Sequence, residues 1–386
     1  MEYFLTEQQQ MIKELARRIA EDKVLPVRAE LDEKEEFPGE IMRELAASDM
    51  FRVFVPEEYD GLGGGCLDLC LVVEELSRAC GGVAVSYAAS ALGACAIIEY
   101  GTEEQKRQYL PDIASGKKLA AFALTESTAG SDASAIKTTA GRVDGGYKLN
   151  GTKQFITNGG EAEIYTVIAL TDKGKGARGA SAFVVEKDTP GFSFGKKEKK
   201  MGIRASATRE LVFQDCLIPE ENLIGKEGMG FIMAMRVFDR SRPGIGAQAV
   251  GTAQGALEAA LGYARQRVQF GHPIIALPAV QNMLAGMAIQ VEAARALVYA
   301  TARTIDSGAR NFTMESSMAK VFASDIAVKV TTDAVQVFGG PGYMRDYPVE
   351  KMMRDAKITQ IYEGTNQVLL STIASELRKK KPKQDQ

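Results

Sequence analysis

"GRVDGGYKLNGTKQFITNGG" (Gly141–Gly160) decides how this chain is divided. Asp144-Gly145-Gly146 and Asn150-Gly151 place glycine where tight hairpin turns need positive φ. The runs that follow, "EIYTVIAL" (163–170), "SAFVVEK" (181–187) and "RELVFQDCLI" (209–218), are short and rich in β-branched and aromatic residues. "DTPGFSFG" (188–195) supplies further Gly and Pro punctuation. No helical segment separates these runs. A parallel βαβ sheet is therefore disfavoured, and an antiparallel barrel or sandwich is expected.

On either side the period changes to helical. "TEQQQMIKELARRIAEDKVLP" (6–26) begins at the N-cap candidate Thr6 and stops at Pro26. "FPGEIMRELAASDM", "LDLCLVVEELSRAC", the Ala-rich run from Ala79 to Ile98 and "GTEEQKRQYLPDIASG", capped by Thr102, read as four more helices. Downstream, Ala253, Ala256, Leu257, Ala260, Leu261 and Ala264 form one apolar stripe. Phe322, Ile326, Val330, Ala334 and Phe338 form another, which Gly339-Gly340 ends. The expected architecture is α+β and multidomain: a helical domain over 1–118, a β domain over 119–228 and a helical bundle over 229–386.

The totals narrow the chemistry. In 386 residues, 47 Lys and Arg nearly balance 50 Asp and Glu, so no global charge points to nucleic acid or an anionic membrane. The single histidine, His272, rules out a site needing several imidazoles; no metal is expected. The cysteines, Cys66, Cys70, Cys80, Cys95 and Cys216, form no C-x-x-C pair and read as buried free thiols. The start has an early acid and no long apolar core, unlike a signal peptide, and the protein is expected in the cytoplasm. The uncharged run 79–98 is rich in Gly, Ala and Ser, which suits a buried helix better than a membrane span. "GLGGG" (61–65) follows no strand and has the wrong spacing for a dinucleotide loop, so it reads as a flexible turn. The basic end "LRKKKPKQDQ" reads as a solvated tail.

Two stretches carry chemistry. "FALTESTAGSDAS" (122–134) is dense in hydroxyls and glycine and can aim donors at carbonyl or phosphate oxygens. "QIYEGTNQV" (360–368) wedges Glu363 between an aromatic and a glycine in apolar surroundings. Either could instead be ordinary: a Ser/Thr/Gly turn, and an acid at a helix N-terminus.

They do not stand alone. With "NGTKQFITNGG" (150–160), "MGIRAS" (201–206), "FDRSRPG" (238–244), "RQRVQFGHPI" (265–274), "QVFGGPGY" (336–343) and "MRDAKITQIYEGTNQ" (353–367), the chain resembles the acyl-CoA dehydrogenase family over essentially its full length. The short-chain, butyryl-type branch looks nearest. The resemblance implies FAD-dependent α,β-dehydrogenation of an acyl-CoA to the 2-enoyl-CoA, with Glu363 as base and hydride passing to flavin N5. It further implies an electron-transfer flavoprotein as acceptor and a homotetramer, with no integral membrane association.

Residue by residue, the resemblance implies FAD contacts at Phe122, Leu124, Thr125, Ser131, Phe155, Thr157, Thr365 and Gln367. Arg267, Gln269 and Phe270, with Gln336, Gly339 and Gly340, resemble segments that reach the FAD of a neighbouring subunit. Substrate contacts are implied at Ser131, Asp239, Arg242 and Gly364. Four departures stand out: Phe155 where tryptophan is common, Ser127-Thr128 in place of Pro and a small residue, Pro278 in place of glutamine, and His272 where Lys is frequent. Ser241 occupies the position that carries the base in some relatives, which leaves Glu363.

"GGVAVSYAASALGACAII" (81–98) matches the floor of the acyl pocket. Its lack of charge predicts an uncharged acyl group, since an unpaired buried carboxylate is costly. Tyr87 is expected to shorten the pocket, and Ala88, Ala91 and Gly93 to widen it, favouring a short, branched or alicyclic chain. Three alternatives stay open: an acyl-CoA oxidase, an enoyl-CoA reductase, and a non-catalytic acyl-CoA or flavin-binding scaffold.

Overall fold

A computed structural model describes residues 3–379; most of the basic tail lies outside the described residues. Six helices come first: α1 (Glu7–Ile19), α2 (Arg28–Lys34), α3 (Gly39–Ala47), α4 (Cys66–Ala79), α5 (Gly81–Tyr100) and α6 (Glu103–Ala114). Thr6 caps α1 by accepting from the Gln9 N–H, and Gln9 bonds back to Thr6; Thr102 and Gln105 repeat the motif on α6. The uncharged run forms most of α5, packed inside the protein. Gly93 lets α5 lie directly on the sheet, since a Cβ there would come within 2.5 Å of the Ala121 nitrogen. It spaces the helix and does not widen a pocket.

The middle region holds β1 (Ala120–Ala123), β2 (Thr139–Val143), β3 (Gly146–Thr157), β4 (Ile164–Leu170), β5 (Ala180–Glu186), β6 (Phe192–Lys197), β7 (Thr208–Pro219) and β8 (Leu223–Ile224). They form one sheet in the order β6-β7-β3-β2-β4-β5-β8, with β1 also on β4. The pairing is mostly antiparallel, but β1 runs parallel to β4, and β2 meets β4 in parallel at Thr139 and Leu170. The long connection from Leu124 to Thr138, in place of a tight turn, lets β1 and β2 run the same way, and the chain reverses twice, through β3, before β4. Asp144-Gly145 makes the β2–β3 hairpin, with Val143 opposite Gly146. Asn150-Gly151 is not a turn. It lies within β3 at a register shift, where Gly151 has φ +145° and a Cβ would fall 2.6 Å from Thr138 Oγ1.

The last region contains α7 (Gly230–Gln266), the short hairpin β9 (Val268–Gln269) and β10 (His272–Pro273), α8 (Pro278–Asp306), α9 (Thr313–Phe338), α10 (Pro348–Ile358) and α11 (Asn366–Lys379). Ala253, Ala256, Ala260 and Ala264 are buried on α7, as the stripe predicts. On α9 the buried line runs through Ala319, Ala323, Ala327 and Val330, while Phe322 faces outward. Alanines at the contact let α9 lie close along α7. By length and composition α5 and α8 could each cross a membrane; in α5 most of the apolar stretch is already covered by the protein.

Candidate functional site

A cavity of about 520 Å³ opens where the three regions meet. Its floor is α5, through Val85, Ala88, Ala91, Leu92 and Cys95. One wall comes from the sheet and the other from α7 and the turn between α10 and α11.

The sheet wall presents Phe122, Leu124, Thr125, Phe155 and Thr157. Phe155 has φ +59° beside a second register shift between Lys153 and Ile156. The bulge leaves its ring half exposed toward the cavity. The Thr125 segment is held from behind. Gln154 N–H donates to the Thr125 carbonyl at 2.8 Å, and Lys153 Nζ donates to the Leu124 carbonyl at 2.9 Å. Lys153 is wholly buried and pairs with Glu126 at 2.7 Å. Glu126 also accepts from the Lys137 and Thr138 N–H groups. Burial pushes Lys153 down to about 8 against the pull of Glu126. Burial pushes Glu126 up, but the Lys153 charge and hydrogen bonds outweigh it and hold the carboxyl below its ordinary range. The Thr125 and Thr157 hydroxyls have no hydrogen-bond partner among the described residues.

The opposite wall carries Glu363. It sits between α10 and α11 with φ +52°, and Gly364 follows at φ +97°. Left-handed backbone at a non-glycine residue persists only where its surroundings hold it. Here two buried cations do so: Arg242 Nε donates to the Glu363 carbonyl at 3.1 Å, and Lys320 Nζ to the Gly364 carbonyl at 2.8 Å. Arg242 is fixed by Asp239 at 2.6 Å, and Asp239 accepts from Thr313. Pro243 cannot donate to the Asp239 carbonyl four residues earlier; Ser316 Oγ on α9 bonds that carbonyl instead, at 2.6 Å. The Tyr362 hydroxyl bonds Gln248.

The Glu363 carboxylate accepts from Ser241 Oγ at 2.5 Å. Burial pushes its pKa up; the Ser241 hydrogen bond and the charges of Arg242 and Lys320 pull back without cancelling the effect. The Glu363 backbone N–H has no acceptor among the described residues. The cavity thus joins a carboxylate of raised proton affinity, a free N–H donor and an apolar floor. That set can remove a proton from a weak carbon acid and stabilise the charge that develops.

The other expected residues divide into three groups. Ala88 and Ala91 line the cavity, but Tyr87 does not. One helical step turns it away, where its hydroxyl donates to the Met50 carbonyl at 2.8 Å and its ring packs on Phe51 and Phe54. Asp239 and Arg242 are absent from the lining too, because both are buried behind the Glu363 turn. Ser131 is exposed on its loop, Thr365 accepts from the Val368 N–H at the start of α11, and Gln367 is exposed. Arg267, Gln269 and Phe270 lie on the surface near Gln336, Gly339 and Gly340, because Tyr263 and Phe338 stack at 4.1 Å where α7 and α9 end. None of these six lines the cavity.

Several cavity residues escape a sequence reading. Arg240 reaches the wall from α7 and pairs with Glu99 at 3.2 Å. Gly63, Gly64 and Gly65 line one side. The glycine run is not a flexible turn, since a Cβ at Gly61 would fall 1.8 Å from the Val55 carbonyl oxygen and one at Gly64 2.4 Å from that of Val53. Lys320 leaves a readable trace: with Ser316 and Ser324 it puts polar groups at four-residue spacing on the buried face of α9.

The fold and this site, matched with known proteins, define a class of flavoprotein oxidoreductases. Sequence profiles agree: the acyl-CoA dehydrogenase N-terminal domain matches residues 6–117, the middle domain 121–216 and the C-terminal domain 228–377. The chain belongs to the acyl-CoA dehydrogenase family. It is 47% identical over 382 residues to a protein of Anaerotignum propionicum named acryloyl-CoA reductase (NADH), covering 98% of this chain and 97% of that one. It superposes with a TM-score of 0.96 on butyryl-CoA dehydrogenase from Megasphaera elsdenii, at 47% identity over 98% of this chain and 100% of that one. A chain in a solved structure described as the electron transferring flavoprotein of Acidaminococcus fermentans matches with the same TM-score at 48% identity, again over 98% and 100%.

Proposed function

We propose that this chain is a short-chain acyl-CoA dehydrogenase in which Glu363 removes the proton α to the thioester carbonyl. One observation carries the reading: the Glu363 carboxylate, held by Ser241 Oγ and beside an unengaged N–H, lines a cavity with an apolar floor. A thioester oxygen accepting from the Glu363 N–H would meet its donor where enolate charge develops.

The sheet wall fits the family's FAD. Phe155 offers a flat apolar face, and the unpartnered hydroxyls of Thr125 and Thr157 offer polar contacts at its edge. FAD, when bound, supplies the hydride acceptor. Lys153 and Glu126 fix the segment that would meet it.

An uncharged substrate is favoured because Arg240 is already paired with Glu99, so a distal carboxylate would have to displace that partner. Ala88 and Ala91 leave width for a short straight, branched or alicyclic chain. The butyryl-CoA dehydrogenase likeness favours the short straight chain. The acryloyl-CoA reductase relative favours a second reading, operation toward enoyl reduction. An electron-transfer flavoprotein is the proposed acceptor, and the exposed Phe270 hairpin supports assembly of a homotetramer. We also assign the protein to the cytoplasm.

The test is anaerobic bleaching of the flavin absorption by butyryl-, isobutyryl-, isovaleryl-, hexanoyl-, cyclohexanecarboxyl- and glutaryl-CoA. Rapid bleaching by an uncharged short member supports the proposal. Rapid bleaching by glutaryl-CoA refutes the uncharged pocket. Prompt reoxidation in air with substrate present would favour an oxidase.

A further inference from the structure

Resting on Glu363 as the base, we infer that Lys320 is a positioning residue for it: from α9 it holds the peptide that follows Glu363 and sets a positive charge against the base. Lys320 Nζ donates to the Gly364 carbonyl at 2.8 Å and to Asn366 Oδ1 at 2.9 Å. Asn366 in turn bonds Ser324 and Asp325, and its N–H donates to the Gln360 carbonyl. One face of α9 thereby fixes both ends of the segment 360–366.

The arrangement is costly for a purely structural contact. Lys320 is wholly buried, and among the described residues no carboxylate lies within ion-pair distance of it. A buried ammonium whose direct partners are all neutral acceptors recovers less of its lost hydration than one in contact with a carboxylate. An apolar residue on this face would pack without that penalty. What the cation adds is a rigid Gly364 carbonyl and a field at Glu363.

The charged and titratable groups around Glu363 are Arg242 and Asp239 from α7, Lys320 and Asp325 from α9, Cys95 from α5 and the neighbouring Tyr362. Burial lowers Lys320 to about 7, with Glu363 and Asp325 opposing and Arg242 assisting. Its charge favours the ionised carboxylate of Glu363. The acid limb of the pH profile therefore reports on Lys320.

The experiment uses flavin-loaded Lys320→Met and Asn366→Ala with butyryl-CoA. For Lys320→Met, kcat should fall roughly ten- to hundredfold with KM near wild type, since small displacements of a reacting group cost that order. Its acid limb should move to higher pH, because the lost positive charge no longer favours the carboxylate. Asn366→Ala keeps the cation and removes one tether. Its kcat should fall less, and its acid limb should stay in place. Lys320→Met with wild-type kcat and an unmoved acid limb overturns the inference. If Lys320→Met fails to load flavin, Asn366→Ala decides alone: a kcat loss at constant KM supports the role, and wild-type kinetics overturn it. Glu363→Gln separates the two claims. If it retains turnover, the base assignment fails; if it is inactive while Lys320→Met behaves as wild type, only the role of Lys320 fails.

Discussion

Two buried lysines stand on opposite walls of one cavity. Lys153, behind the sheet wall, has a carboxylate partner at 2.7 Å and braces the Leu124 carbonyl. Lys320, behind the base wall, has only a carbonyl and an amide. Both are lowered by burial, Lys153 to about 8 and Lys320 to about 7. The paired lysine is locally neutralised and acts as a brace. The unpaired one exports its charge toward Glu363. The difference separates a contact that holds the fold from one that tunes chemistry, and each wall can be attacked by itself.

The largest effect belongs to the base wall. Glu363→Gln keeps the shape of the turn and removes the proton acceptor. Its kcat should drop by about 10²–10⁴-fold, with flavin content and thermal midpoint near wild type. Substantial turnover would show that the base lies elsewhere.

Next comes the brace. Lys153→Met leaves Glu126 buried without its cation, which costs about 3–5 kcal/mol when one partner of a buried pair is removed. Chemical unfolding of the flavin-loaded protein measures this. The molecules that remain folded should lose far less kcat than Glu363→Gln. Unchanged stability with a collapsed kcat would erase the distinction between the walls.

The same pair predicts a pH response. The folded-state pKa of Glu126 lies below its ordinary value. Its stabilisation is therefore present above the unfolded carboxylate pKa of about 4.3 and is lost as pH falls through the folded value. Thermal midpoints of the wild type should decline across that acid window more steeply than those of Glu126→Gln. Parallel curves would mean that the carboxylate contributes nothing there.

These residues also show what a sequence can reveal. The division into helical, β and helical regions is legible because hydrophobic period and turn chemistry are local. The place of Glu363 beside the cavity is legible because a short motif fixes the residues around it. The parallel pairing of β1 with β4 is not legible, since it depends on a connection that carries no periodic signal. Tyr87 fails for a geometric reason: an all-apolar helix gives no clue to which of two adjacent residues faces a cavity. Arg240 and Glu99 meet only through the packing of α5 and α7, and the burial of Asp239 against Arg242 and Thr313 depends on the packing of α9 on α7.

The smallest effect expected is also the finest test of how the base wall is tuned. Ser241 Oγ donates to Glu363 Oε2, and that bond favours the ionised carboxylate. Ser241→Ala should therefore raise the carboxyl pKa and move the acid limb of kcat/KM to higher pH, the same direction as Lys320→Met. The mechanism differs, because a neutral donor is lost and no charge changes. A net hydrogen bond of about 1 kcal/mol corresponds to roughly fivefold, so kcat on the alkaline side should fall by no more than that. Salt offers the discriminating comparison. The Ser241→Ala shift should persist at high ionic strength, since a short hydrogen bond is not screened. The Lys320→Met shift acts through a field and should shrink to whatever extent solvent ions reach the cavity. An acid limb that moves to lower pH in Ser241→Ala would mean that the hydroxyl favours the protonated acid, reversing the sign assigned to this contact.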